Sequence, residues 1–305
     1  MRRPYRWHLR SRLLELGERT LVIGVVNVTP DSFYDGGRYF EPQAAIEHAL
    51  RLLDDGADII DIGGESTRPG APVAGDESSA AKPVVSPDDE LRRVMPVVEG
   101  VRRARPDAVI SVDTYKSQVA RSAVAAGVEI VNDVSAFQWD EEMGAAVAEL
   151  ECGVVMMHTR GKPLEWRGLP HQNDIASLVE HELANRVQFA FERGVTRDRI
   201  VLDPGFGFGK NFEENYSLLV NLDRLQQIGF PLLVGLSQKS FIGRTLGRLK
   251  GEDVPAGGRL YGSLATMVVA ILRGAHVVRV HDVKPAVEAA AIADEVLRAS
   301  IANLD

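Results

Sequence analysis

Residues 279–283 read Arg-Val-His-Asp-Val, directly after the apolar run GAHVV. Side chains alternate faces along a β-strand, so Arg279 and His281 point the same way. Two basic groups side by side are costly to bury, so this strand end predicts that something anionic meets them. Chemistry-bearing residues also end the other short apolar runs: Asn27, Gly63–Gly64–Glu65, Asp113, Asn132–Asp133, His158, Asp203, and Ser237 with Lys239. A single polar residue at a strand exit is an ordinary helix cap. Eight such exits in succession predict a ring of donors and acceptors around one pocket.

The elements that must position these residues alternate along the chain. Apolar runs at 21–26, 58–64, 108–112, 129–132, 153–157, 199–202, 231–236 and 275–280 are separated by segments of helical spacing such as PQAAIEHALRLLDDG and KSQVARSAVAAG. Strands alternating with helices predict βαβ units and a parallel sheet. About eight units in this length match an α/β fold of the (β/α)₈ TIM barrel type, with an open doubly wound sheet as the alternative. The active face of such a barrel is built from the loops after the strands. Glycines between helix and strand, in DDGAD, AAGVE, LECGV, ERGV, QIGF and RGAH, read as left-handed helix stops. The stripe LLELGERTLVIG (13–24) reads as a β-hairpin closing the barrel floor. Residues 1–20 form an N-terminal hairpin or extension and 21–305 the barrel. The stretch 71–89, small, polar and Pro-containing, reads as a long mobile loop after the second strand.

Composition narrows the classes. The chain has 305 residues and a net charge of −8, which argues against a general attraction to nucleic acid or to anionic membrane. Its single cysteine, Cys152, lies in an apolar run and reads as a packed core thiol. The arginine-rich start lacks the apolar core of a secretory signal, and no apolar stretch reaches membrane-spanning length, so a cytoplasmic location is expected.

Several loops are more specific than the ring alone. NVTPDSFYDGG (27–37) follows the first barrel strand, GGESTRPG (63–70) the second, and DPGFGFGK (203–210) the sixth. In the last, glycines let backbone approach a flat ligand while Phe206 and Phe208 offer rings to stack on it; a tight turn with a hydrophobic plug is the other reading. Together with SVDTYK, NDVSA, the Ser-x-Lys-Ser of GLSQKSFIG and RVHDV, these blocks occur in an order and spacing that resembles the dihydropteroate synthase family, the sulfonamide targets of folate biosynthesis.

That resemblance implies a barrel enzyme, a transferase, that joins p-aminobenzoate to (7,8-dihydropterin-6-yl)methyl diphosphate and releases pyrophosphate. Asn27, Arg279 and His281 would then hold the diphosphate, Asn27 through Mg²⁺. An oxygen donor at a strand exit suits Mg²⁺, which commonly takes one or two protein ligands beside phosphate oxygens and water. Asp113, Asn132, Asp203, Lys239 and Arg279 would recognise the pterin. Phe33, Thr67, Arg68, Pro69, Phe208 and Ser240 would form the p-aminobenzoate site, with Ser240 at a helix N-terminus receiving its carboxylate. Asp35, Lys239, Arg279 and His281 would carry catalysis, Asp35 steadying positive charge at the transferred methylene. Sulfonamide inhibition and a homodimer through the C-terminal barrel helices are implied in the same way, and the alanine-rich helix PAVEAAAIADEVL is compatible with that pairing.

One departure bears on affinity. Gln238 stands where the family usually has arginine, which removes a positive charge beside the pocket. It keeps open a degenerate paralogue that binds pterin without turnover. A pterin carrier would lack a diphosphate site, and a phosphate-binding aldolase or isomerase would use Lys239 as a Schiff base. His158 reads equally as a satisfied core histidine or a ligand contact.

Overall fold

The computed structural model describes residues 2–29, 42–74, 76 and 84–302. Two short strands, β1 (Tyr5–His8) and β2 (Leu13–Leu16), pair antiparallel as a separate sheet. Eight parallel strands follow: β3 (Leu21–Asn27), β4 (Ile59–Gly63), β5 (Val109–Asp113), β6 (Ile130–Asp133), β7 (Gly153–Met157), β8 (Ile200–Asp203), β9 (Leu233–Val234) and β10 (Val277–Val280). Their order, β8-β7-β6-β5-β4-β3-β10-β9, wraps around to a parallel bridge between Leu202 and Leu232, so the sheet is a nearly closed TIM barrel. Helices α1 (Pro42–Asp54), α2 (Pro87–Ala104), α3 (Ser117–Ala125), α4 (Met143–Leu150), α5 (Ile175–Glu192), α6 (Phe212–Val220), α7 (Ser240–Lys250), α8 (Leu260–Leu272) and α9 (Val283–Ala302) lie between and after the strands.

The period of two sorts the strands into layers. Val22, Ile60, Ile110, Val131, Val154, Leu202, Val234 and Val278 face outward into the core shared with the helices. Ile23, Ile59, Val109, Ile130, Val155, Val201, Leu233 and Val277, one from each barrel strand, fill the floor of the interior. Trp7, Leu9 and Leu16 of the hairpin plug that floor, and the Trp7 indole donates to the Arg199 carbonyl at 2.8 Å. Two residues further along each strand, on the same inward face, stand Val25, Asp61, Ser111, Asn132, Met157, Asp203, Gly235 and Arg279. The interior therefore turns from apolar to polar toward the C-terminal ends of the strands.

Three local expectations need correction. The hairpin does not join 13–16 to 21–24: Leu13–Leu16 pairs back onto Tyr5–His8, with the turn closed by Leu9 N–H donating to Arg12 C=O at 2.9 Å, and 21–27 enters the barrel. Gly153 is not a helix stop. Glu151 takes the left-handed position (φ 49°), and Gly153 lies inside β7, where a Cβ would sit 2.6 Å from Leu9 Cδ2. Finally, the stretch 71–89 ends at residue 86, because Ser86 caps α2 by accepting from Asp89 N–H. Pro87 at the first helical position and Asp88 and Asp89 in the first turn complete a favourable start. Residues 75 and 77–83 of that stretch lie outside the described residues.

Candidate active site

A cavity of about 410 Å³ opens at the C-terminal ends of the strands. Of the fourteen site residues that the resemblance implies, twelve line it: Asn27, Thr67, Arg68, Pro69, Asp113, Asn132, Asp203, Phe208, Lys239, Ser240, Arg279 and His281. Phe33 and Asp35 lie outside the described residues.

The anion that meets Arg279 in the protein itself is a pair of carboxylates. Its Nε donates to Asp61 Oδ2 and its Nη2 to Asp113 Oδ2, each at 2.6 Å. Asn132 Nδ2 donates to the same Asp61 oxygen at 3.0 Å. Burial works against the charge on Arg279, but Asp61 and Asp113 outweigh it and raise its pKa. Burial likewise lifts the Asp113 carboxyl above its usual range, with Arg279 pulling it down and Asp61 pushing it up. Asp203 is pushed up to about 6 by burial, against hydrogen bonding from Gly205 N–H and the charge of Lys239. Lys239 is lowered to about 8 by burial, with Asp203 opposing. Three carboxylates thus face two cations here, and Asp61 Oδ1 is buried with no hydrogen-bond partner among the described residues. Such a group of acceptors favours a ligand edge rich in N–H donors.

Asp61 was not anticipated, because DIIDIGG reads as one apolar run ending in glycine. Its parity could have revealed it: Asp61 is two residues before the strand exit Gly63, on the inward face. Glu65 and Asp133, both at strand exits, do structural work instead. Lys116 bridges Glu65 and Glu90, 2.5 Å from each. Asp133 points away from Asn132 and accepts from the N–H groups of Ser135 (2.8 Å) and Phe137 (2.7 Å). His158 is buried between Glu182 and Lys210, at 2.9 Å from each, and does not line the cavity.

The outer half of the cavity is aromatic and helix-capped. Phe208 has the Lys239 ammonium 4.3 Å from its ring centroid and the Trp166 ring edge-on at 5.2 Å. Phe206, 1% exposed, packs in the core as a plug. Trp166 was missed by sequence reasoning, since a lone tryptophan in a loop gives no periodic signal. Ser240 is exposed as the first residue of α7, where free backbone N–H groups suit an anion. His281 is lowered to about 4 by burial and by Arg279, and its Nδ1 lies 3.1 Å from Ser237 Oγ. Gln238 sits at φ 60°, its amide nitrogen 3.3 Å from Asp282 Oδ2. The Gln238 backbone carbonyl accepts from Arg259 Nη1 at 2.7 Å, which brings another guanidinium to the cavity rim.

Known proteins are similar to this chain in sequence and fold. The family profile described as "Pterin binding enzyme" matches residues 23–281. A dihydropteroate synthase of Bacillus subtilis is 40% identical over 290 residues, 95% of this chain and 93% of its own length. The dihydropteroate synthase of Xanthomonas albilineans, solved with 4-aminobenzoic acid, superposes with a TM-score of 0.84 at 42% identity, over 97% of this chain and 99% of that one. The Yersinia pestis dihydropteroate synthase, solved as a sulfonamide drug complex, gives 0.85 at 39% identity, over 96% and 99%. The chain belongs to the pterin binding enzyme family.

Proposed function

We propose that this protein is a dihydropteroate synthase, joining p-aminobenzoate to (7,8-dihydropterin-6-yl)methyl diphosphate with release of pyrophosphate. The observation that carries this reading is the Arg279–Asp61–Asp113 cluster at the base of a cavity whose other end is the N-terminus of α7. Asp61, Asp113 and Asp203 accept from the amino and N–H groups of the pterin edge, and Asn132 and Lys239 pair with its acceptors. A site built to hydrogen-bond such an edge rejects analogues that leave these groups unpaired. Thr67, Pro69 and Phe208 pack around the aryl ring, and Ser240 and Arg68 take its carboxylate.

Asn27, at the end of β3, lines the cavity, and among the described residues no group of three or more His, Cys, Asp or Glu could hold a metal ion. One carboxamide oxygen without a protein cage fits Mg²⁺, whose remaining ligands would be phosphate oxygens and water. When bound, the ion would neutralise charge on the departing diphosphate. Arg279 stays protonated throughout and stabilises the same charge, and His281 donates a hydrogen bond to it. Asp35 steadies positive charge at the methylene. The arylamine is neutral near pH 7 and attacks without a strong general base, so catalysis is electrostatic and positional.

Sulfonamides compete at the Phe208–Ser240 end. We further expect a cytoplasmic homodimer; exposed Tyr261 and Leu272 on α8 and Ile292 and Val296 on α9 support the pairing. Incubation with both substrates and Mg²⁺, followed by mass spectrometry, tests the reading. Dihydropteroate is the expected product, whereas bound pterin without product would move the protein to the carriers.

A further inference from the structure

The lysine that ends DPGFGFGK has no place in the chemistry above, yet Lys210 is only 7% exposed. Its Nζ lies 2.9 Å from His158 Nδ1, 2.8 Å from the Gly205 carbonyl and 3.2 Å from the Phe208 carbonyl. The His158 carbonyl lies at 3.4 Å, so the three N–H donors of the ammonium meet four acceptors, two of them on the loop to which the lysine itself belongs. Burial lowers the Lys210 pKa to about 7, with Asp203 opposing, so this ammonium form prevails on the acid side of neutrality. For Nδ1 to accept, the His158 proton must sit on Nε2, and Nε2 lies 2.9 Å from Glu182 Oε2. Glu182 thus fixes the tautomer, and the tautomer fixes Lys210.

The loop needs such an anchor. Gly205, Gly207 and Gly209 all have positive φ (67°, 83° and 67°), and Gly205 passes so close to the His158 carbonyl that a Cβ would come within 1.9 Å of it. Asn215 adds one more tie, accepting from Gly207 N–H at 2.7 Å. Between these ties Phe208 presents its ring to the cavity, against Lys239 and Trp166.

We propose that Lys210 is a positioning residue for the arylamine: its ammonium, held through His158 by Glu182, sets the backbone of residues 205–208 and so the Phe208 wall. This rests on reading that end of the cavity as the p-aminobenzoate site. The test is Lys210→Met, with Glu182→Ala as a second variant because Glu182 is 44% exposed and its loss spares the core. Lys210→Met raises KM for p-aminobenzoate about tenfold or more, the scale of losing a charge-assisted hydrogen bond, while kcat falls less than about threefold. Glu182→Ala moves KM the same way by a smaller factor. Hydrogen exchange of the 203–210 segment rises in both. A lysine of purely structural use would lower the melting temperature and leave KM unmoved, and that result overturns the proposal. If Lys210→Met does not fold, unchanged KM and unchanged exchange in Glu182→Ala overturn it. Should the native protein show no turnover of p-aminobenzoate, the functional reading fails, and unchanged loop exchange in the variants separately refutes the anchor.

Discussion

Replacing Asp61 by asparagine removes a charge from the centre of the site at almost no change in volume. The carboxamide oxygen of the new side chain can take over the position of Oδ2 and keep both donors, Arg279 Nε and Asn132 Nδ2. The amide nitrogen then occupies the place of Oδ1, where no partner exists among the described residues. Arg279 retains Asp113 as its only hydrogen-bonded carboxylate. A hydrogen bond to a charged group contributes about 1.5–3 kcal/mol and a neutral one about 1, so the exchange costs the site about 1–2 kcal/mol. Pterin affinity should fall about 5- to 30-fold. The pH dependence supplies a second reading. In the proposed site Asp113 would accept pterin donors as a carboxylate, so its raised pKa predicts that binding weakens as pH falls through it. Removing the Asp61 charge removes one upward push, so the acid limb should move to lower pH. Calorimetric titration of the dihydropterin diphosphate between pH 5 and 8 measures both quantities. An affinity within about twofold of the native protein, or an acid limb displaced upward, would refute the electrostatic account.

The other predictions concern the scaffold and the rim. Gly153→Ala drives a methyl to 2.6 Å from Leu9 Cδ2 under the hairpin and should cost about 1–3 kcal/mol in urea unfolding, with kcat unchanged. His276 is lowered to about 4 by burial, its Nδ1 accepting from Leu232 N–H. Below about pH 6.5 the unfolded chain takes a proton that the fold refuses, so stability is lost from there toward pH 4. His276→Gln should flatten that dependence by up to about 1.4 kcal/mol per pH unit, and a steeper profile would contradict it. Gln238→Arg should lower KM for p-aminobenzoate only about 2- to 5-fold at low salt, because Arg259 already stands at the rim. The gain should vanish at high salt; a larger, salt-independent gain would show that Gln238 limits the site.

Much of the site was legible because inward-facing residues recur at every second position and the barrel collects strand ends. Arg279 and His281 share a face by that rule, and Asp113, Asn132 and Asp203 follow from it. What escaped were features set by contacts distant in sequence. Nothing local tells whether 13–16 pairs with 5–8 or with 21–24; the fit of Trp7 and Leu9 into the floor over Gly153 decides it. Asp61 was hidden inside an apolar run. The partners of Lys210 and His158 come from β7, the Gly-rich loop and α5, so their roles emerge only when the three are brought together.

The most direct test of the central claim is the rate of pyrophosphate release from (7,8-dihydropterin-6-yl)methyl diphosphate with Mg²⁺, measured with and without p-aminobenzoate. Release that depends on the arylamine, and that Arg279→Ala nearly abolishes, is what the site predicts. Tight pterin binding with no arylamine-dependent release would contradict it.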